Sequence, residues 1–255
     1  NPDLIVLPET FITDWIWEPR IETSPSVLRM KSWLSKHPKT QILTGASTGK
    51  VLTDKEAQKS TARISRNGTI YEVFNSALLI SKQEESQVFH KSKLVPGAEM
   101  TPFSSLLKPI FNKFPVKLGG TIGNFGTNDS LQNFNTTKGN FTPIICYESV
   151  FGEYVSSFNS LGSSWICIIT NDGWWGDTFG HQQHNSYARL RAIENRKYVV
   201  RSANTGISSV INPLGMVEQF LPYGESGIIE ATITKSDTKT FYAQHGDYIG
   251  RLASF

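Results

Sequence analysis

Three reactive side chains, a carboxylate, an amine and a thiol, each come directly after a short apolar run. Glu9 follows Leu-Ile-Val-Leu-Pro, Lys91 follows Val-Phe-His, and Cys146 follows Phe-Thr-Pro-Ile-Ile. A thiol becomes an effective nucleophile only when its pKa, ordinarily about 8.5, is lowered or when a base takes its proton. A carboxylate can accept that proton, and an ammonium can stabilise the oxyanion that forms when sulfur attacks a carbonyl. Together the three residue types predict acyl transfer through a cysteine nucleophile.

Each of these residues has a plainer interpretation when it is taken alone. A cysteine after an apolar run is more often a small buried hydrophobe, and Glu9 and Lys91 could be solvated surface charges. Cys167 keeps the plainer interpretation, because it lies inside Trp-Ile-Cys-Ile-Ile with no charged neighbour. A chain of this length does not need a disulfide to hold its core, so both cysteines are expected to be free thiols.

Buried strands are the elements that would position the reactive side chains. Apolar runs that end at a polar residue are typical of an α/β sheet, in which ligands bind beyond the carboxyl ends of the strands. Four such runs, at residues 4–7, 88–89, 141–145 and 165–170, are therefore expected to meet at one site. The pattern predicts further strands at 41–45, 76–80, 198–202, 208–211 and 227–231, helices at 25–37, 149–161 and 182–196, and a tight hairpin turn at 212–215. The Gly-, Asn- and Thr-rich segment 119–139 predicts a loop or a weak hairpin ahead of the Cys146 strand.

Length and charge limit the classes of function. The 255 residues fit one α/β domain over residues 1–255. The 25 basic and 22 acidic residues are spread along the chain, and without a basic block a nucleic-acid partner is not expected. No run approaches the roughly 20 apolar residues that cross a bilayer. Because the chain opens abruptly ahead of an apolar run, it is interpreted as an excised fragment.

Other candidate positions are less specific. Trp174 and Trp175 flank a glycine-rich turn near Phe179, where aromatic rings could lie at a lipid interface, lie over the site or pack in a local core. His181 and His184 are three residues apart, but no third ligand accompanies them, so neither a metal nor another cofactor is expected.

The motifs Leu-Pro-Glu9-Thr, His-Lys91 and Cys146-Tyr147-Glu148 resemble, in that order, the Glu-Lys-Cys triad of the nitrilase superfamily. The resemblance implies a four-layer α-β-β-α sandwich, with the first strand and the flanking membrane helices absent from this chain. Residues 91–99 and 170–176 and the ending Gly-Asp-Tyr at 246–248 resemble the apolipoprotein N-acyltransferase family. Where that family has Pro-Phe-Gly-Glu, this chain has Pro-Gly-Ala-Glu99, which keeps the carboxylate.

The resemblance implies a two-step transfer at the bacterial inner membrane, with the catalytic domain facing the periplasm. A phospholipid would acylate Cys146, and the thioester would pass its acyl group to the α-amine of a diacylglyceryl-modified apolipoprotein. Glu9 would be the general base, and Lys91 with the backbone N–H after Cys146 would form the oxyanion hole. Glu99, Tyr147 and Glu148 would support the triad, although Glu148 could equally be a helix-start carboxylate favoured by the helix dipole.

Two alternatives remain at this point. A soluble amidase of the nitrilase superfamily would use the same triad to hydrolyse a carbon-nitrogen bond. A catalytically inactive domain would use the fold only to hold a lipidated peptide, and the intact triad disfavours it.

Overall fold

The computed structural model describes residues 1–100, 125–128 and 130–254. The strands there are β1 (Leu4–Val6), β2 (Ile12–Trp17), β3 (Gln41–Val51), β4 (Arg63–Ile64), β5 (Ile70–Ile80), β6 (Gln87–His90), β7 (Phe134–Thr136), β8 (Gly139–Ile145), β9 (Trp165–Thr170), β10 (Val199–Ala203), β11 (Ser208–Ile211) and β12 (Val217–Leu221). The helices are α1 (Pro25–Leu34), α2 (Gly152–Ser157), α3 (Phe179–Asn195), α4 (Phe241–His245) and α5 (Tyr248–Ala253). The short 3₁₀ helix Cys146–Val150 follows β8 directly, and the 3₁₀ helix Asp172–Trp175 follows β9 after Asn171.

The strands form two mixed sheets. In the first, β3 and β5 pair antiparallel over their full length, β1 and β2 both run parallel to β3, and β4 and β6 pair with β5. In the second, the order is β12-β11-β10-β9-β8-β7, with β8, β9 and β10 mutually parallel. The parallel strands bring the carboxyl ends of β8 and β9 to one edge, where Cys146 and residues 171–172 follow.

The main core lies between the two sheets, and the two-residue period of a strand explains how the first sheet is covered on both faces. On β5, Ala77 and Leu79 face the second sheet, whereas Leu78 and Ile80 face α1. Val27 and Leu34 of α1 complete the outer cluster. The first sheet is therefore buried between α1 and the second sheet.

Helices α2 and α3 cover the outer face of the second sheet. Val155 of α2 and Ala188 and Ala192 of α3 are buried in the same cluster as the β9 residues Ile166 and Ile168. The layers therefore follow the order helix, sheet, sheet, helix, and the predicted α-β-β-α sandwich is confirmed.

Most predicted elements are present, some with different bounds. The strands β3 and β5 extend well beyond the predicted 41–45 and 76–80, because each continues into a long antiparallel ladder with the other. Helix α1 ends at Leu34 instead of residue 37, and the 212–215 turn joins β11 to β12 with Gly215 at φ +79°. Of the segment 119–139, residues 119–124 and 129 lie outside the described part of the chain. Its described end forms a hairpin between β7 and β8.

Two sequence predictions were wrong. Residues 149–161 do not form one helix, because Phe151 has extended backbone angles (φ −90°, ψ 94°) that separate the Cys146–Val150 turn from α2. Residues 227–231 form no strand, and the Ile228 side chain that suggested burial is 95% exposed. In both cases a local run of apolar residues suggested one regular element, but these residues do not form it in the folded chain.

Candidate active site

Glu9 reaches the site through a very close backbone approach between β3 and the chain that follows β1. The amide of Gly45 donates to the carbonyl of Pro8 across 3.1 Å. A β-carbon on Gly45 would lie 2.5 Å from the amide nitrogen of Thr10 and 2.6 Å from the Cα of Glu9. Thr10 itself has a φ of 54°. The absence of a side chain at Gly45 therefore lets the chain turn inward at Glu9.

The Glu9 carboxylate is buried, at 5% exposure, and three donors fix it. Its Oε1 accepts from Asn75 Nδ2 at 2.7 Å and from Lys91 Nζ at 3.5 Å, and its Oε2 accepts from the amide of Asn171 at 2.8 Å. These donors follow or belong to β5, β6 and β9, so both sheets contribute to holding one carboxylate.

Lys91 follows β6 directly and is almost completely buried, at 1% exposure. Its Nζ lies 2.9 Å from the Glu99 carboxylate and 3.5 Å from that of Glu9. Burial works to lower the pKa of Lys91, but electrostatic interactions with Glu9, Cys146 and Glu99 outweigh it and raise that pKa above its usual range. Lys91 is therefore a permanent cation at the site.

Glu99 closes a short loop beside Lys91. Its carboxylate accepts from the amide of Val95 at 2.8 Å and from Asn75 Nδ2 at 2.8 Å. The carboxylate predicted to support the triad thus contacts Lys91 directly.

Cys146 lies at the carboxyl end of β8, in a left-handed backbone conformation with φ 51°. The residue is partly exposed, whereas Cys167 is fully buried within β9, and both are free thiols as predicted. Burial of the Cys146 thiol and the charge of Glu9 raise its pKa to about 12, while Lys91 opposes the rise. The thiol is therefore protonated near neutral pH, and it needs a base rather than a lowered pKa.

Glu148 is fully buried and joins the ends of two strands from different sheets. Its Oε2 accepts from the amide of Ile145, and its Oε1 accepts from the amide of Ser92 and from the hydroxyl of Tyr154. Burial raises the pKa of Glu148 to about 7 against the opposing effect of these hydrogen bonds. The carboxylate therefore caps the start of the Cys146–Val150 helix, as the helix-start interpretation predicts, and it also positions residues 92 and 145 relative to each other.

Tyr147 packs against a neighbouring aromatic ring, whereas the aromatic residues near residue 175 are exposed. The ring of Tyr147 packs edge-to-face against Phe151, with centroids 5.2 Å apart. Trp174, Trp175 and Phe179 are 63%, 48% and 84% exposed. Trp174 and Phe179 are therefore not packed in a local core, because most of each side chain is exposed, and about half of Trp175 is exposed as well.

The two histidines considered as metal ligands face different partners. His181 Nε2 lies 3.2 Å from the carboxylate of Asp177, and its ring packs against Tyr223. His184 Nδ1 lies 2.9 Å from the carboxylate of Asp172, a residue that is fully buried.

Asn75 is a site residue that the sequence interpretation missed. It lies in the middle of β5, it is 6% exposed, and its amide contacts both Glu9 and Glu99. The available signal was an amide side chain inside the largely apolar stretch Val-Phe-Asn-Ser-Ala-Leu-Leu-Ile, since a buried polar group requires a partner.

Comparison with known proteins identifies relatives of both the sequence and the fold. The family model for carbon-nitrogen hydrolases matches residues 1–243. The chain is 29% identical over 253 residues to the apolipoprotein N-acyltransferase of Chlorobaculum tepidum, covering 97% of this chain and 46% of that protein. It is 35% identical over 201 residues to the apolipoprotein N-acyltransferase of Haemophilus ducreyi, covering 74% of this chain and 39% of that protein. The chain therefore spans less than half the length of these curated relatives.

Solved structures with the same fold are more distant in sequence. A CN-hydrolase superfamily protein from Xanthomonas campestris superposes with a TM-score of 0.57 at 15% identity, covering 100% of this chain and 83% of that one. An amidase from Nesterenkonia, whose active site cysteine carries a covalently added acetamide moiety, superposes with a TM-score of 0.58 at 13% identity, covering 99% of this chain and 84% of the amidase. Identities this low establish similarity of fold alone. Within the part of the chain that the structure describes, no helix has the length and hydropathy needed to span a membrane.

Proposed function

Because the chain belongs to the carbon-nitrogen hydrolase family, we propose that it is the catalytic region of an apolipoprotein N-acyltransferase. The identity to curated members of that group, at 29% over 97% of the chain, supports this assignment over an amidase. We further propose that residues 1–255 form one catalytic domain, since one continuous cluster of buried side chains joins the two sheets.

In this proposal Cys146 is the nucleophile, Glu9 the general base and Lys91 a stabiliser of the oxyanion. The observation that carries the assignment is that the ends of β1, β6 and β8 converge. Glu9 and Lys91 lie 3.5 Å apart, and the charges of both act on the pKa of the Cys146 thiol. Glu99, Tyr147 and Glu148 support these three residues.

The proposed first step forms a thioester. Glu9 takes the thiol proton as Cys146 sulfur attacks an ester carbonyl of a phospholipid, and the resulting oxyanion is held by Lys91 and by the backbone N–H of Tyr147. The carbon–oxygen bond then breaks, and Glu9 returns the proton to the departing lysophospholipid oxygen. The fixed positive charge of Lys91 is suited to this role because it changes little as the negative oxygen forms and disappears.

The proposed second step transfers the acyl group to an amine. The α-amine of a diacylglyceryl-cysteine apolipoprotein attacks the thioester, Glu9 accepts a proton from nitrogen, and the returning thiolate of Cys146 takes it back as the amide forms. Both substrates carry long acyl chains, and the exposed rings of Trp174, Trp175 and Phe179 supply an apolar surface that could contact them. We place the reaction at the periplasmic face of the bacterial inner membrane.

The test follows both steps in the protein that carries this chain. Incubation with phosphatidylethanolamine vesicles should add one fatty-acyl mass to the peptide containing Cys146, and a diacylglyceryl-cysteine lipopeptide should remove that mass and become N-acylated. Cys146→Ser should abolish both signals, whereas Cys167→Ser, at the buried cysteine of β9, should retain them. Loss of the acyl mass to water alone, with no acylated lipopeptide, would support the amidase instead.

A further inference from the structure

A buried ion-paired network lies behind Cys146 and takes no direct part in the proposed chemistry. Arg201 donates to the Asp172 carboxylate across 2.7 Å, and His184 Nδ1 lies 2.9 Å from the other oxygen of that carboxylate. Arg201 is 2% exposed, Asp172 0% and His184 5%. Thr170 also donates to Asp172, at 2.9 Å. Burying two charges and an imidazole is costly, so a network of this kind needs a reason.

The far side of the imidazole ring faces the nucleophile's backbone. His184 Nε2 lies 3.1 Å from the carbonyl oxygen of Cys146. The hydroxyl of Ser149 donates to the same carbonyl at 2.8 Å and lies 3.0 Å from His184 Nε2. Two side chains therefore converge on one carbonyl oxygen, the one that belongs to the residue with φ 51°.

The direction of this carbonyl sets the direction of the next amide. In a planar trans peptide the C=O and the following N–H point in opposite directions. Holding the Cys146 carbonyl toward His184 therefore aims the N–H of Tyr147 away from the network. A donor on the carbonyl also polarises the peptide and strengthens that N–H as a hydrogen-bond donor. This is the N–H assigned above to the oxyanion.

We propose that His184 is a positioning residue that orients and polarises the Cys146–Tyr147 peptide as an oxyanion donor, with Asp172 and Arg201 fixing its ring. The inference rests on the proposed acyl transfer. His184 does not contact the acyl group and acts through the peptide.

The contacts of Asp172 and His184 indicate which of these groups donate and which accept hydrogen bonds. Burial works to raise the pKa of Asp172, but the hydrogen bond from His184 and the charge of Arg201 outweigh it and hold that pKa below its usual range. Asp172 is therefore an acceptor, and His184 Nδ1 lies 2.9 Å from its carboxylate and 3.2 Å from Arg201 Nη2. Because a carbonyl oxygen only accepts, the contact between His184 Nε2 and the Cys146 carbonyl is a hydrogen bond from the N–H at Nε2.

The experiment separates carbonyl attack from thiol reactivity. Stopped-flow release of p-nitrophenol from a medium-chain p-nitrophenyl ester measures acylation of Cys146, which needs an oxyanion donor. Alkylation of Cys146 by iodoacetamide has no oxyanion, so it reports the thiol alone. His184→Leu should slow acylation about 10- to 100-fold, the range expected when an oxyanion donor is misdirected, while alkylation changes by less than about threefold. His184→Gln, whose amide can still donate to the carbonyl, should recover part of the acylation rate.

The matched control is His181→Leu, one turn earlier on α3. His181 is equally buried, but it pairs with Asp177 instead, so both rates should stay close to those of the unsubstituted protein. If His184→Leu does not fold, Ser149→Ala tests the same carbonyl from its second donor and should also slow acylation more than alkylation.

Three results would overturn the inference. Equal losses in acylation and alkylation would mean that the network serves the thiol rather than the peptide. Unchanged acylation in His184→Leu would remove the positioning role while leaving the proposed function intact. Absence of any acyl-enzyme in the unsubstituted protein would overturn the proposed function and the inference with it.

Discussion

The side-chain amide of Asn75 donates to the carboxylate of Glu9 across 2.7 Å, and the same nitrogen lies 2.8 Å from Glu99. Two carboxylates that both approach Lys91 would repel each other, and one amide placed between them offsets that repulsion with a hydrogen bond to each. Asn75 therefore fixes the spacing of the three charges around the thiol.

Replacing this amide should impair acylation. In Asn75→Leu both carboxylates lose a donor, and because a hydrogen bond to a charged group is worth about 1.5 to 3 kcal/mol, acyl-enzyme formation should slow about 10- to 100-fold. Asn135→Leu is the control, since that side chain is exposed on β7. Burst kinetics with a p-nitrophenyl ester measure the effect, and equal rates in the two variants would contradict this role of Asn75.

Removing the cation between the carboxylates should destabilise the fold. Lys91→Met leaves Glu9 and Glu99 buried without their counter-charge, and breaking a buried pair in this way typically costs about 3 to 5 kcal/mol. The double variant Lys91→Met/Glu99→Gln removes one of the two unpaired charges and should recover part of that loss. Urea unfolding measures the free energies of unfolding.

The control for this prediction is Lys138→Met. Lys138 pairs with Asp3 at 3.4 Å, and both side chains are mostly exposed. Lys138→Met should therefore lower the free energy of unfolding by less than about 1 kcal/mol. A double variant no more stable than Lys91→Met alone would show that Glu99 is not destabilised by the missing charge.

The reactivity of Cys146 should rise with pH well beyond the range of an ordinary thiol. Burial and the charge of Glu9 raise its pKa to about 12. The thiolate fraction, and with it the rate of alkylation by iodoacetamide, should therefore keep increasing about tenfold per pH unit up to about pH 11, whereas an ordinary thiol levels off above about pH 9. Peptide mapping by mass spectrometry reads the modification at Cys146, with N-acetylcysteine as the reference thiol. A plateau near the ordinary thiol pKa would contradict the assigned environment.

The close approach at Gly45 should tolerate no side chain. Gly45→Ala places a β-carbon 2.5 Å from the Thr10 amide nitrogen, and since backbone must move, overpacking should cost about 1 to 3 kcal/mol and displace Glu9. The matched control is Gly49→Ala on the same strand, where the three atoms nearest to the new β-carbon belong to the partly exposed side chain of Trp15 rather than to backbone. Thermal unfolding and ester-burst amplitude should both fall in Gly45→Ala, whereas Gly49→Ala should retain its burst amplitude.

The exposed rings should contribute to contact with lipid. The double variant Trp174→Ala/Trp175→Ala should bind phosphatidylethanolamine vesicles more weakly in sedimentation assays while keeping most of its thermal stability, because the two side chains are 63% and 48% exposed and neither belongs to the buried clusters. Trp33→Ala is the control, since that ring on α1 is also exposed, at 43%. A similar loss of binding in both variants would show that the effect is not specific to the 174–175 surface.

The sequence by itself determined the strands that precede Glu9, Lys91 and Cys146, the α/β class and the family. These features are local, because a short apolar run ending at a polar residue and an ordered set of motifs can both be read along the chain. The strand at 165–170 was predicted with the bounds that the structure gives. Local content also misled, at 149–161 and 227–231, where nothing along the chain indicates which apolar residues find a partner.

Only the tertiary structure decided how the reactive groups are held. Asn75 lies 66 positions from Glu9, and His184 lies 38 from Cys146, so neither contact has a signature in the spacing of the sequence. The high pKa of the Cys146 thiol likewise depends on burial and on charges brought in from other strands. Hydrogen bonds and electrostatic effects act over a few ångströms of space, and it is the packing of two sheets that turns distant positions in the chain into neighbours.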